Sequence, residues 1–232
     1  MLSPTASVRH AEVDGLRVVL DLHTESYRVF DDVASALWPV LIGEADAAST
    51  FDAVAREYDV DRDRFGSDLA AFAQRCIAER LLEPAGAPAA ARAAAPQRGP
   101  ARGSRPSTLG ALLCLIGTRR ALGRDGFRTT YERYAMLPVG PRTRRLGAAL
   151  PAFARAENFF VARRAPEDCL LRSLSLYRFL RSANVPAEHL IGVRRFPFAA
   201  HAWVECDGSP VCDERARNFT PLARIGNARA TS

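Results

Sequence analysis

Residues 169 to 214 read CLLRSLSLYRFLRSANVPAEHLIGVRRFPFAAHAWVECDGSPVCDE and decide the fold of the second half of the chain. The stretch opens with the apolar periodicity of a mostly buried helix, which ends before Pro186. Three strands are then predicted, at 189 to 194, at 200 to 206 and around Val211. An Asp207-Gly208 turn joins the last two strands. A helix followed by antiparallel strands predicts an α+β unit.

Three side chains in this stretch carry the groups of a cysteine nucleophile, its base and an orienting acid. Cys169 is predicted about four residues into the helix, which opens with Pro166, Glu167 and Asp168, and free N–H groups there favour a thiolate. His201 would act as base toward the thiol and as acid toward a leaving amine. Asp213 would hold the other ring nitrogen. The order cysteine, histidine, acid is typical of papain-like and transglutaminase-like enzymes.

A purely structural interpretation stays open at this point. Single sets of Cys, His and Asp arise by chance, so Cys169 could be a core thiol, His201 a strand histidine and Asp213 a turn acid. Asp168 speaks against a nucleophile, because a neighbouring carboxylate raises the pKa of a thiol. Trp203 shares the strand face of His201 and either walls a site or simply packs.

Composition excludes several other functions. All 32 basic residues are arginine, the net charge is +6, and the arginines are scattered without interleaved aromatics, which argues against a nucleic-acid partner. No apolar stretch is long enough to span a bilayer and no signal peptide is evident, so we expect a cytoplasmic protein. The five cysteines and four histidines form no metal-ligand spacing, so neither a metal nor a cofactor is expected.

A boundary divides the chain. Residues 85 to 107 contain almost only Ala, Pro, Gly, Arg and Ser, the composition of a flexible linker. The expected domains are therefore 1 to 84 and 108 to 232. The second begins with three helical segments, at about 108 to 122, 126 to 137 and 143 to 163.

The first domain starts with period-two alternation over residues 8 to 30, where Asp14-Gly15 and a turn near His23 divide three strands. Three apolar helical stripes follow, and Pro39 is expected to shorten or kink the first helix. Three strands and three helices predict a small α+β, winged-helix-like domain.

The stretch 169 to 214 closely resembles the transglutaminase-like core of lasso peptide biosynthesis B proteins, the leader peptidases of that pathway. The matching pieces are the Cys-Leu helix start, Asn-Val-Pro, Ile-Gly-Val-Arg and Ala-His-Ala-Trp-Val-Glu. The resemblance implies a catalytic triad of Cys169, His201 and Asp213, with Asp213 preferred over Glu205 and Glu214 because it matches the family's position on the following strand.

Residues 8 to 82 resemble the PqqD-like element with which such proteins recognise their precursor, including Tyr-Arg-Val-Phe and Ala-Leu-Trp. In these elements the leader adds as a strand beside the third strand and against the third helix. The resemblance therefore implies a set of leader-binding residues: Tyr27, Arg28, Val29, Phe30, Leu69, Phe72, Arg75 and Cys76. Most of them could equally be core, Phe30 and Phe72 above all, since large aromatics on a stripe normally are.

The hypothesis is a fused protein that binds the leader of a lasso precursor peptide and removes it. The core peptide would then pass to a partner cyclase that resembles asparagine synthetase and uses ATP. Two alternatives remain: another acyl transfer on the same fold, such as transglutamination, and a leader-binding scaffold whose cysteine is inert.

Overall fold

Residues 1–86, 104–138, 145–159 and 169–226 are described by a computed structural model of the chain. The chain divides into two units, Met1–Ala93 and Ala94–Ser232. Most of the predicted linker, and the predicted helix start at 166 to 168, lie outside the described residues.

Four short strands open the first unit: β1 (Leu2–Pro4), β2 (Val8–Val13), β3 (Leu16–Asp21) and β4 (Ser26–Val29). Strands β2, β3 and β4 pair in that order as an antiparallel meander. Asp14 and Gly15 take positive φ angles of 49° and 82° between β2 and β3. The predicted hairpin turn and the three-stranded sheet are confirmed.

Three helices follow: α1 (Asp32–Ile42), α2 (Ala47–Glu57) and α3 (Arg62–Ala78). Each begins after an aspartate whose side chain accepts a hydrogen bond from the N–H three residues on: Asp31, Asp46 and Asp61. Aspartate is among the most stabilising N-cap residues of a helix. A further strand, β5 (Leu82–Pro84), pairs with β1 and was not predicted.

The core of the first unit lies between β3 and the three helices. Its members are buried apolar side chains, among them Val19, Leu37, Trp38, Phe65 and Phe72. The expectation that Pro39 shortens or kinks α1 is wrong as to length, because the helix continues to Ile42 and ends at Gly43. Proline removes one intrahelical bond, while Leu37, Trp38 and Leu41 are buried on either side of it.

The second unit begins with helices α4 (Thr108–Ala135), α5 (Leu146–Phe159) and α6 (Cys169–Ser182). Gly126, with φ 74° and ψ 172°, interrupts α4 near the predicted boundary between two helical segments. Most of α6 is buried, and its Arg181 donates to the backbone carbonyls of Leu137, Ala187 and Gly226. The guanidinium thus joins the end of α6 to the sheet and to α4.

A four-stranded antiparallel sheet packs against α6. Its strands are β6 (Ala187–Arg194), β7 (Ala199–Cys206), β8 (Ser209–Pro210) and β9 (Thr220–Ile225), in the order β8-β7-β6-β9. A 3-10 turn, Glu214–Asn218, separates β8 from β9. The sequence predicted the first three strands but not β9. Both units mix helices with antiparallel strands, so the α+β prediction is confirmed.

No helix in the four described ranges has the length and apolarity that a membrane span requires.

Candidate active site

The second unit brings His201 and Asp213 together. The Nε2 atom of His201 lies 2.7 Å from Oδ2 of Asp213, and both side chains are largely buried, with 15% and 12% exposure. His201 sits on β7 opposite Gly192 of β6. The carboxylate thereby fixes the orientation of the imidazole and uses one of its two nitrogens.

Asp213 was predicted on a strand following β7, and that placement is wrong. Strand β8 ends at Pro210, Cys212 has a positive φ of 53°, and Asp213 is the N-cap of the 3-10 turn. Its second oxygen, Oδ1, accepts from the N–H of Arg215 at 3.2 Å. The aspartate therefore performs two tasks, capping the turn and holding His201.

Cys169 lies on the other side of the imidazole, at the first described residue of α6. Its sulfur is hydrogen-bonded to the side chain of His201 and to the backbone N–H groups of Ala202 and Leu170. Since Nε2 of His201 faces Asp213, the nitrogen left for the sulfur is Nδ1. The three predicted residues thus form one connected row.

The charges in this row support one another. Burial alone would raise the pKa of the Cys169 thiol, but the hydrogen bond to His201 and the two backbone N–H groups outweigh burial, and its pKa lies below the ordinary value. The hydrogen bond to Cys169, helped by Asp213 and opposed by burial, raises the pKa of His201. Both shifts favour a thiolate beside an imidazolium.

Two aromatic rings flank the imidazole. Trp203 is stacked on it, with ring centroids 6.2 Å apart and planes at 16°, and Phe219 lies 5.0 Å away on a tilted plane. Sequence reasoning noted Trp203 but missed Phe219, which follows the 3-10 turn and carries no motif. The two rings restrict how water reaches His201.

The alternative acids do not serve His201 in this structure. Glu205 accepts a hydrogen bond from the Trp203 indole at 2.9 Å and faces Arg224 at 3.7 Å. Glu214 is exposed on the 3-10 turn. Asp213 is therefore the carboxylate that contacts the histidine.

The remaining cysteines differ from Cys169 in their surroundings. Burial raises the pKa of the Cys76 thiol to about 11 and that of Cys206 to about 12, and it also raises the pKa of Cys114. Cys212 is exposed. No group of three or more His, Cys, Asp or Glu side chains suited to a metal ion occurs in the described part of the chain.

In the first unit, the residues expected to bind a peptide separate into exposed and buried ones. Arg28 and Val29 are exposed on β4, Arg75 is exposed on α3, and Tyr27 and Leu69 are half-buried. Phe72 is only 5% exposed and packs edge-on against Phe30 at 5.4 Å. Phe72 is part of the core of the first unit, which is one of the two interpretations that its helical stripe left open.

Strand β4 is an edge of the sheet, and α3 runs close to it. Arg28 forms an ion pair with Glu79 at the end of α3, and Phe30 reaches Phe72 in the middle of that helix. Val29 on β4 and Ile77 on α3 are exposed, at 45% and 41%, but Val29 lies between Arg28 and Phe30 and therefore faces the side of the sheet away from α3. An edge strand and a helix thus border a partly apolar, partly charged strip.

A thiol on a helix, with an imidazole on the adjoining sheet and a carboxylate on the turn beside it, is the arrangement of folds that perform acyl transfer through cysteine. The sequence model of the transglutaminase-like superfamily matches residues 107–224, and the chain belongs to this superfamily. The model of the coenzyme PQQ synthesis protein D (PqqD) family matches residues 17–82. The predicted combination of a PqqD-like and a transglutaminase-like part is confirmed.

Individual proteins match shorter parts of the chain. The microcin J25-processing protein McjB of Escherichia coli is 48% identical over 46 residues, which are 20% of this chain and 22% of McjB. The chain thus matches about a fifth of the length of this curated relative.

Two solved structures are also similar. The structure of TbiB1 in complex with the TbiA(beta) leader peptide is 32% identical, with a TM-score of 0.30, and the match covers 35% of this chain and 94% of TbiB1. A lasso peptide synthetase B1 complexed with the leader peptide is 22% identical, with a TM-score of 0.32, covering 36% and 98% of the two chains.

Proposed function

We propose that the chain is a leader peptidase of lasso peptide biosynthesis. Its first unit binds the leader of a ribosomally made precursor, and its second unit cuts the leader off. The observation that carries this proposal is the row of Cys169, His201 and Asp213, in which a thiol of lowered pKa touches an imidazole held at 2.7 Å by a carboxylate.

The chemistry follows from that row. The Cys169 thiolate attacks the scissile carbonyl, and His201, as imidazolium, protonates the departing amine, leaving an acyl-enzyme thioester. Water, deprotonated by the neutral His201, then releases the leader as a carboxylic acid. The N–H groups of Ala202 and Leu170, which reach the Cys169 sulfur, lie near the carbon that the sulfur attacks and are candidate donors to its oxyanion.

Binding of the leader uses the free edge of β4 next to α3. Main-chain bonds to an added strand supply affinity, while Ile77 and the Arg28–Glu79 pair supply side-chain contacts on the α3 side. Leu69 and Arg75 on α3 contribute to the same side, whereas Tyr27 and Val29 contact the leader from the other face of the strand. A leader held there raises the local concentration of the scissile bond at the second unit.

The free amine of the core peptide is the product that a ring-closing partner needs. We propose that this partner is the asparagine-synthetase-like cyclase of lasso pathways, which would use ATP to close the ring. All five thiols of the chain are free, which suits a reducing cytoplasm.

The test is mass spectrometry of a candidate precursor peptide, chosen from the short open reading frames that neighbour the gene of this chain, after incubation with the full chain. We expect a single cut that releases the leader, and no cut with Cys169→Ala or His201→Ala. Cys212→Ser is the matched control, because it removes an exposed thiol outside the row and should cut normally.

Three results would contradict the proposal. Cleavage that persists in Cys169→Ala would exclude the thiol as nucleophile. An intact precursor that binds tightly, with no cut even after the cyclase and ATP are added, would identify the chain as a leader-binding scaffold. A product joined to an added amine instead of water would indicate transamidation on the same fold.

A further inference from the structure

A line of three side chains leads from the edge strand β9 to the imidazole of His201. Arg224 on β9 contacts Glu188 on β6 and lies 3.7 Å from Glu205 on β7. Glu205 in turn accepts a 2.9 Å hydrogen bond from the indole N–H of Trp203. The Trp203 ring then stacks on His201.

The Trp203 ring packs against a glycine. Gly192 lies opposite His201 in the strand register, and a Cβ atom on it would stand 2.7 Å and 2.9 Å from the six-membered ring of Trp203. The indole therefore rests directly on the backbone of β6. The contact of its ring with Gly192 and the bond of its N–H to Glu205 restrain the orientation of the tryptophan.

The stacking bears on the charge of His201. An aromatic face next to a cation stabilises the cation, by about 0.5 to 2 kcal/mol depending on how dry the contact is. Trp203 is 2% exposed, so the contact is shielded from water. The Trp203 ring lies nearly parallel to the imidazole, at 16°, with 6.2 Å between the ring centroids.

Charged and titratable groups approach His201 from each neighbouring element. Cys169 comes from α6 and Asp213 from the 3-10 turn, and both contact it directly. From β6, Arg194 stands over Phe219, with its guanidinium 5.4 Å from the ring centroid. Glu205 on β7 and Arg224 on β9 are linked to His201 through the indole of Trp203.

We propose that Trp203 is a positioning residue for His201, that Glu205 and Arg224 hold its indole in place, and that its ring face stabilises the imidazolium of the thiolate–imidazolium pair. This inference rests on the proposed function, because it assumes that Cys169 and His201 form that pair. It assigns Glu205 a different task from that of an alternative catalytic acid.

The experiment measures the rate at which iodoacetamide alkylates Cys169, read by peptide mass spectrometry on the full chain between about pH 5 and pH 9. A Cys212→Ser background removes the other thiol that is not buried. For Trp203→Leu we expect alkylation about three- to tenfold slower near pH 6 and unchanged near pH 9, where the thiolate forms without help from the imidazolium.

Two further variants separate the roles in the line. Glu205→Gln keeps an oxygen that accepts from the indole and should retain most of the rate near pH 6. Glu205→Leu removes the acceptor and should resemble Trp203→Leu. Phe153→Leu is the packing control. It removes a buried aromatic contact with Phe179, which lies far along α6 from Cys169, and its Cys169 should be alkylated at the rate of the parent.

The outcomes distinguish this inference from the proposed function. If alkylation near pH 6 in the parent is slow and insensitive to His201→Ala, the pair itself is absent and the proposed function fails. Suppose instead that alkylation of the parent near pH 6 is fast and depends on His201. If Trp203→Leu is then alkylated as fast as the parent, or more slowly by the same factor at pH 6 and pH 9, the positioning role of Trp203 is wrong.

Discussion

The imidazole of His201 and the carboxylate of Asp213 are joined by a 2.7 Å contact between a strand and the turn that follows the next strand. The aspartate is fixed from its other oxygen as well, by the N–H of Arg215. This double attachment means that the carboxylate is held ready before any substrate arrives. It also means that the role of the negative charge can be tested without removing the cap.

Asp213→Asn should preserve the turn and slow the cleavage. Asparagine is as good an N-cap as aspartate, and its amide oxygen can still orient the imidazole as in Cys-His-Asn proteases, but it lacks the charge that stabilises an imidazolium. We expect precursor cleavage to fall about 10- to 1,000-fold, the effect of one to three pKa units from a neighbouring opposite charge, with the urea midpoint nearly unchanged. Glu214→Gln removes a neighbouring exposed carboxylate and should cleave normally. Similar rates for both variants would show that the charge of Asp213 does not act on His201.

A second histidine of the same unit is buried where no solvent reaches it. His189 has no exposed surface, its Nε2 lies 2.9 Å from Oγ of Ser173, and the rings of Tyr131 and Tyr177 stand edge-on to it. Burial lowers the pKa of His189 to about 3. The side chain is therefore neutral in the folded protein throughout the physiological range.

That burial makes stability depend on pH. The unfolded chain binds a proton on His189 below about pH 6.5, while the folded chain does so only near pH 3, so stability is full above about pH 6.5 and falls as pH drops between these values. We expect the urea midpoint of the second unit to decrease from pH 7 to pH 4.5. His189→Gln should flatten this decrease, and the exposed-site control His23→Gln should not. An equally steep decrease in His189→Gln would contradict the assignment.

The glycine under Trp203 is a sterically defined position. A methyl group on Gly192 would stand 2.6 Å from the backbone oxygen of Thr220 as well as against the indole. Gly192→Ala should therefore lower the free energy of unfolding by about 1 to 3 kcal/mol, the usual cost of overpacking, as measured by urea denaturation. Gly123→Ala is the control, since it faces open space within α4 and gains helix propensity. Equal stability of both variants would show that β6 can move away from the indole.

Local chemistry explains which parts of the fold the sequence predicts. Asp14-Gly15 specifies its turn because both residues tolerate positive φ, and the alternating strands on either side of that turn follow. Strands β1 and β5 were missed since each has three residues, too few to show a period, and their pairing joins the two ends of the unit. Strand β9 was missed because Pro221 interrupts its pattern, although an edge strand tolerates proline.

In the candidate site, too, the sequence predicts some residue positions and leaves others undetermined. Cys169 and His201 follow from their elements and from the resemblance of the stretch around them. The position of Asp213 could not be derived, because it depends on a positive φ at Cys212 and on a 3-10 turn, neither of which has a sequence period. The place of Phe72 stayed open for a related reason: a helical stripe does not tell which of its aromatics faces a groove and which faces the core.

The hydrogen-bond pattern of β4 identifies which backbone groups face its open edge. The N–H of Phe30 bonds to the carbonyl of Arg17, so the alternation of an antiparallel ladder gives Arg28 the next bonds to β3. The backbone groups of Val29, between these two residues, then point away from β3. The N–H of Val29 is therefore available to an added strand.

Val29→Pro removes that donor without removing a bond to β3. Proline is tolerated at an edge strand when its nitrogen faces outward, so the first unit should keep its fold. We expect the affinity for a fluorescent leader peptide, measured by anisotropy with the full chain, to fall about tenfold, the loss of one main-chain hydrogen bond together with its rigid alignment. Val29→Thr keeps the N–H and the β-branched shape and should bind almost normally. If both variants bind alike while their circular dichroism spectra match the parent, the leader does not add to β4, and its binding surface must be sought on another face of the unit.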